Sequence, residues 1–174
     1  MANKTRNAQF DSSFIESYAG ATIMTDPKVA LMELIANAWD AGSTKVDITL
    51  PLENGDRFSI TDNGHGMNDA QFADRYMKFG YRRTEGQGTF AEVPSDHTNI
   101  AVRPAFGRNA KGKFAAFLFG KQFGVRTWRD GKERTYEVFR STSSALSYKP
   151  LGQNDRSGHG TEIFVDKART YDLD

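Results

Sequence analysis

The chain has 174 residues, 38% apolar and 26% charged, with 13 phenylalanines to fill an interior, which fits one ordinary globular domain over residues 1–174. Its 23 basic and 22 acidic side chains leave a net charge of +1, so no global field draws it to nucleic acid or anionic lipid. The lack of cysteine excludes a disulfide framework, a thiolate zinc site and a cysteine nucleophile.

At the amino terminus, MANKTRNAQFDSS contains no apolar signal segment, and no run of about 18 apolar residues occurs anywhere in the chain. Neither secretion nor membrane spanning is supported, and a cytoplasmic location is the default expectation. Thr25, Asp26 and Pro27 form a helix-start signal, a capping side chain followed by a proline preset for the first turn, and the helix runs through VALMELIANAWDA to stop at Gly42. Next, KVDITLPLENGDRFSITDNG predicts strands from Val46 to Leu50 and from Arg57 to Asp62, joined by a polar turn at Asn54 and Gly55. Asn68 is placed to cap a short helix from Asp69 to Lys78. From Phe79 to about Phe106 the chain is rich in Gly, Arg and polar residues and predicts a mobile loop.

The run AKGKFAAFLF, Ala110 to Phe119, predicts a helix with glycine and basic side chains at its start. Two strands, KQFGVRTW and ERTYEVFRS, follow as a hairpin around RDGK, and GTEIFVD reads as a further strand. Helices in the first two thirds and strands grouped in hairpins predict an α+β fold, a mixed sheet with helices on one face.

In ELIANAWDA, Glu33, Asn37 and Asp40 fall within about 60° of one another on a helical wheel. Leu31, Leu34, Ile35, Ala38 and Trp39 cover much of the other side. One reading is an exposed polar face. The other is a pocket wall, with Asn37 offering an amide oxygen to Mg²⁺ and Glu33 polarising a water.

Asp62 closes the strand RFSIT and opens the run DNGHGM. A carboxylate fixed at a strand end accepts a hydrogen bond from an amine such as the adenine 6-amino group and rejects the guanine oxygen, so adenine is the expected base. Gly64 and Gly66 remove side chains where a ligand must approach the backbone, and Met67 offers a soft apolar surface. A plain Asx turn accounts for the same residues. An EF-hand calcium loop does not, because its position 12 holds Ala73 rather than Glu.

Gly107, Arg108, Asn109, Ala110, Lys111, Gly112 and Lys113 bring backbone N–H groups and cations together before FAAFLF, a place suited to phosphate or simply a basic loop before a buried helix. GRNAKGK fits the first seven positions of a Walker A signature, but Phe114 stands where a Mg²⁺-binding Ser or Thr is required. His65, His97 and His159 share no spacing suited to one metal and read as surface residues. Arg82, Arg83, Arg103 and Arg108 lack interleaved aromatics and read as solvated or phosphate-facing.

Taken in this order, the three segments resemble the N, G1 and G2 boxes of the GHKL superfamily, that of gyrase B, the ninety-kilodalton heat-shock chaperone, histidine kinases and MutL. ELIANAWDA is similar to ExxxNxxDA, DNGHGM to the DxGxG box, and GTEIFV at Gly160 to the final box, so the resemblance covers residues 14 to 166. It implies the Bergerat fold with ATP held between helices and a flexible lid. Glu33 would be the general base and Asn37 the Mg²⁺ ligand. Asp62 would bind the adenine amine, Gly64, Gly66 and Met67 would line the base site, and Thr161 would support Asp62. Asp40 would be a pocket-wall residue. Gly107, Lys111, Gly112 and Lys113 would surround the phosphates, with residues 80–106 as the lid. Ala110 departs from the pattern, since many members carry a glycine there.

The glutamate and the Asp-Ala ending place the resemblance with the gyrase, MutL, MORC and heat-shock chaperone branch rather than with the histidine kinases. Members of that branch draw a phosphate-sensing lysine from a second domain, which implies a further domain or partner protein and slow turnover in isolation. The expected activity is therefore an ATPase cycling between ATP and ADP, with lid closure and ATP-dependent homodimerisation. The alternatives are a nucleotide sensor without hydrolysis and, as the minor option, a phosphotransfer fragment.

Overall fold

The computed structural model describes residues 25–78, 87–98, 100–107, 112–140 and 146–171. Helix α1, Pro27–Asp40, begins where the sequence demands it, with the Asp26 carboxylate accepting the Lys28 N–H at 2.8 Å and Pro27 in the first turn. Ala30, Leu34 and Ala38, four residues apart, are its buried stripe. At its other end Arg103 lies 4.0 Å over the Trp39 ring and donates to the carbonyls of Trp39 and Ser43 at 3.0 and 2.7 Å. Arg103 thus binds carbonyls at and just beyond the end of the helix, in place of the solvated or phosphate-facing role that sequence suggested.

Strands β1 (Val46–Thr49) and β2 (Phe58–Asp62) form the expected first hairpin, with Val46 opposite Asp62. Strands β3 (Gln122–Arg129) and β4 (Lys132–Phe139) form the second. Asp130 and Gly131 join them with φ of 54° and 74°, the left-handed pair that a two-residue type I′ turn requires. Strands β5 (Ser147–Asp155) and β6 (Gly160–Val165) complete a six-stranded sheet in the order β1-β2-β6-β3-β4-β5, in which every pairing is antiparallel.

The two faces of the sheet differ in kind. Phe58 and Ile60, Phe123 and Val125, Tyr136 and Val138, and Ile163 and Val165 share one core with Ala30 and Leu34. The alternate positions carry charge: Glu162 accepts from Arg57 and Arg126 at 2.8 and 2.6 Å, and Glu133 accepts from Arg156 at 2.6 Å. The described helices therefore cover one face, as the α+β reading expected.

Strand β5 is absent from the sequence reading. It lies at the sheet edge, exposed over most of its length, contains Pro150 and Gly152, and faces a register shift at Thr135 and Tyr136, so it shows no apolar alternation. Two predicted helices also take other forms. Helix α2, Asp69–Gln71, opens with the reciprocal Asn68 and Gln71 capping box but widens into a π-helical turn, Phe72–Tyr76. That turn seats the Phe72 ring 3.8 Å from Tyr136 while the Tyr76 hydroxyl donates to the Lys113 carbonyl at 2.9 Å. Gly112–Leu118 is a 3₁₀ helix rather than α, with every residue from Gly112 to Phe117 buried.

Within the stretch expected to be a loop, Phe90 and Pro104 form an antiparallel bridge. Ala91 N–H donates to Arg103 and Ala105 N–H to Thr89, both at 2.9 Å. Residues 80–86 and 99 of the proposed lid lie outside the described residues.

Candidate functional site

The register of three neighbouring strands sets the floor of the site. Asp62 of β2 pairs with Thr161 of β6, which pairs on its other side with Thr127 of β3. Because Asp62 alternates with Ile60, Thr161 with Ile163 and Thr127 with Val125, all three side chains emerge on the helix-covered face. Gly64 N–H donates to Asp62 Oδ1 at 2.7 Å, and the Thr161 N–H also bonds the carboxylate.

Thr127, which sequence reasoning missed, is completely buried; its hydroxyl accepts the Met67 N–H at 2.8 Å and donates to the Gly160 carbonyl at 3.2 Å. Position 127 continues the inward alternation of Phe123 and Val125, the one signal that could have found it. Gly66 has φ of 62°, and a side chain there would run into the Trp128 carbonyl. Gly66→Ala is therefore expected to lose about 1–3 kcal/mol in urea unfolding.

Burial of Asp62 pushes its pKa up to about 7, against the opposing pull of the Gly64 and Thr161 N–H groups and of His159. The carboxyl is thus poised between charged and neutral forms near neutrality.

Helix α1 supplies the wall. Leu34, Asn37, Ala38, Asp40 and Ala41 line one cavity together with Ile60, Asp62, Met67, Thr161 and Ile163. The structure therefore brings Asn37 and Asp62 into one space from elements far apart in sequence. Asn37 Nδ2 is buried with no hydrogen-bond partner among the described residues, an amide without an explanation inside the protein. Glu33, one turn earlier, is half-buried but lies outside the lining; its carboxylate occupies the space that a side chain at Gly112 would need.

Asp40 does more than line the wall. Its two carboxylate oxygens accept the N–H groups of Phe106 and Gly107 at 2.6 and 2.8 Å, so it ties the end of the lid segment to α1. Gly107 and Lys113 also line the cavity, while Lys111 lies outside the described residues. Lys113 Nζ donates to the carbonyls of Arg75 and Lys78 at 3.0 and 2.7 Å, and desolvation pulls its pKa down to about 8. This buried lysine fastens the 3₁₀ helix to the end of the π-helical turn. His65, Arg75 and Gln87 are further lining residues that the motifs did not indicate.

A six-stranded sheet covered by helices on one face, with a strand-end carboxylate and a helix amide converging on one cavity, is the α+β Bergerat fold of ATP-binding domains. Residues 24–161 match the family described as "Histidine kinase-, DNA gyrase B-, and HSP90-like ATPase", and the chain belongs to that family: it is an ATP-binding domain of ATPase type.

Among curated relatives, the DNA mismatch repair protein MutL of Xylella fastidiosa (strain 9a5c) is 41% identical over 59 residues, 34% of this chain and 10% of the relative. The MutL of Acidiphilium cryptum (strain JF-5) is 32% identical over 63 residues, 36% of this chain and 11% of that protein. A candidate type II restriction enzyme, HgiDII of Herpetosiphon aurantiacus, is 29% identical over 125 residues, 68% of this chain and 18% of its own length. The chain thus spans between a tenth and a fifth of these relatives. No described helix is long and apolar enough to cross a membrane.

Proposed function

We propose that this domain binds ATP with Mg²⁺, hydrolyses it slowly, and uses the nucleotide state to close residues 80–106 over the cavity and to pair with a second copy inside a larger machine. The observation that carries the reading is the convergence of Asn37 and Asp62 on one cavity, with Glu33 one turn away on the same helix.

Asp62 accepts the exocyclic amine of adenine, the glycines at 64 and 66 admit the ring edge, and Met67 packs on its face. The Asn37 amide, whose Nδ2 has no partner among the described residues, suits the polyphosphate end, where its oxygen would hold Mg²⁺ and its N–H₂ would meet phosphate oxygen. Mg²⁺ would neutralise charge developing on the phosphates. Glu33 takes a proton from the attacking water, and Gly107, Lys111 and Gly112 offer N–H groups to phosphate. Asp40, by holding Phe106 and Gly107, links the lid to the wall.

Binding without hydrolysis is the second reading. It is favoured by Lys113, whose ammonium is engaged by the Arg75 and Lys78 carbonyls, and by Glu33 standing outside the cavity lining. The MutL relatives carry DNA mismatch repair in their name, and a DNA-maintenance role for the longer protein is the corresponding proposal.

ATP titration at a series of pH values tests the site. An amine donor favours ionised Asp62, so below about 7 a proton must leave before binding. The affinity is expected to be level above that pH and to fall by up to about tenfold per unit beneath it. GTP should bind weakly throughout. An affinity independent of pH, with GTP bound as tightly as ATP, would remove Asp62 from the base site.

A further inference from the structure

We propose that Asp96, His97 and His159 form a binding site for one zinc-class divalent cation, at the seam between the lid segment and the floor of the cavity. One ligand atom from each of the three lies within 4.8 Å of the other two, and the imidazole rings stand 5.1 Å apart at 66°. In sequence His159 is far from the other pair, which is why no metal spacing was visible.

The orientation of both rings carries the argument. His159 Nδ1 faces the Gly64 carbonyl at 2.6 Å, and His97 Nδ1 faces the Gly42 carbonyl at 3.2 Å. A nitrogen facing a carbonyl must carry a proton, so in the neutral ring each Nε2 holds the lone pair. A backbone carbonyl on one ring nitrogen is the support that metal-bound histidines commonly have on the nitrogen away from the metal. His159 Nε2 faces the Asp96 carboxylate oxygens at 2.8 and 3.0 Å, a contact closed by a proton when the ring is charged and open to a metal ion when it is neutral.

Two imidazoles and a carboxylate, with a water completing the set, match Zn²⁺ and its neighbours rather than Mg²⁺ or Ca²⁺. Ligands about 2.0–2.1 Å from zinc stand roughly 3.4 Å apart. The widest pair of the present set must therefore close by up to about 1.4 Å, while His159 Nε2 and the Asp96 oxygens, 2.8 and 3.0 Å apart, must open slightly. His97 would give up the Asn63 Nδ2 contact at 3.3 Å. The rival occupant is a proton on His159. Partial burial opposes it, but the Gly64 carbonyl and Asp96 outweigh burial and raise the His159 pKa.

The cation would pin residues 94–98 to the carbonyls of Gly42 and Gly64, independently of nucleotide. Tag-free full chain, stripped with a chelator and kept free of nucleotide, is titrated with Co²⁺ at about pH 8, above the ordinary imidazole range. One equivalent should bind, with the visible bands of a four- or five-coordinate centre that Zn²⁺ abolishes. His97→Ala and His159→Ala should each weaken binding by at least about 100-fold, more than loss of an outer partner costs. In the wild-type protein, Zn²⁺ should shift the imidazole NMR signals of His97 and His159 and leave those of His65 unmoved, a reading that needs no variant to fold. Absence of saturable binding below about 0.1 mM, or histidine signals that do not respond, would assign the cluster to a protonated His159 paired with Asp96.

Discussion

Asp62→Asn is expected to weaken ATP binding by about 10–100-fold while raising the stability of the nucleotide-free domain at pH 8. The carboxylate spends part of its accepting capacity on the Gly64 and Thr161 N–H groups, and in the proposed complex the remainder meets the adenine amine. Asparagine keeps one acceptor for those backbone groups but turns an N–H₂ toward the amine, donor against donor. Losing a hydrogen bond to a charged group costs about 1.5–3 kcal/mol, which gives the stated range. The same N–H₂ suits the guanine oxygen, so the preference for ATP over GTP should narrow or invert.

The stability effect has the opposite sign for a physical reason. A carboxyl raised from its ordinary 3.8 to about 7 holds a proton in the folded state that the unfolded chain has released, so stability is lost as pH rises across that window. Asparagine carries no such cost. Thermal melts of the two proteins should therefore diverge modestly at pH 5, inside that window, and more at pH 8, beyond it. A variant that is both less stable at pH 8 and unable to bind would point to a structural role alone.

Glu33→Gln is expected to lower hydrolysis by about 10²–10⁴-fold with ATP affinity nearly unchanged, the range that loss of a positioned general base produces. Glutamine has the same size, so it fits against Gly112 as the native side chain does. Single-turnover hydrolysis alongside equilibrium binding separates the two effects. A variant that hydrolyses ATP at the parent rate would take the base assignment away from Glu33. A parent that binds ATP without turnover would favour the sensor reading.

Much of this fold was legible because the elements that build the cavity have strong local codes. The Asp26 and Pro27 start of α1, the Ala30, Leu34 and Ala38 stripe, the Asp130-Gly131 turn and the alternation of β2, β3 and β6 each follow from backbone chemistry. Strand β5 escaped because an exposed edge with proline and glycine leaves no apolar period. The π-helical turn at Phe72 and the 3₁₀ helix at Gly112 escaped because packing against Tyr136 and α1, rather than local propensity, selects their pitch.

At the site, the motifs indicated Asn37 and Asp62, and the structure brings both to one cavity. They did not indicate that Asp40 would hold the Phe106 and Gly107 N–H groups, or that Lys113 would bind the carbonyls of Arg75 and Lys78. Nor did they bring His97 and His159 together, since those contacts exist only once β6 lies beside β2. Lys111 lies outside the described residues, and its assignment to phosphate is a proposal resting on sequence alone.

The most direct measurement is a crystal structure with Mg²⁺ and a non-hydrolysable ATP analogue. The account predicts the adenine amine within hydrogen-bonding distance of the Asp62 carboxylate, roughly 2.7–3.2 Å, and the Asn37 amide at the metal and phosphates. Adenine seated elsewhere, with Asp62 and Asn37 both free of nucleotide, would contradict it.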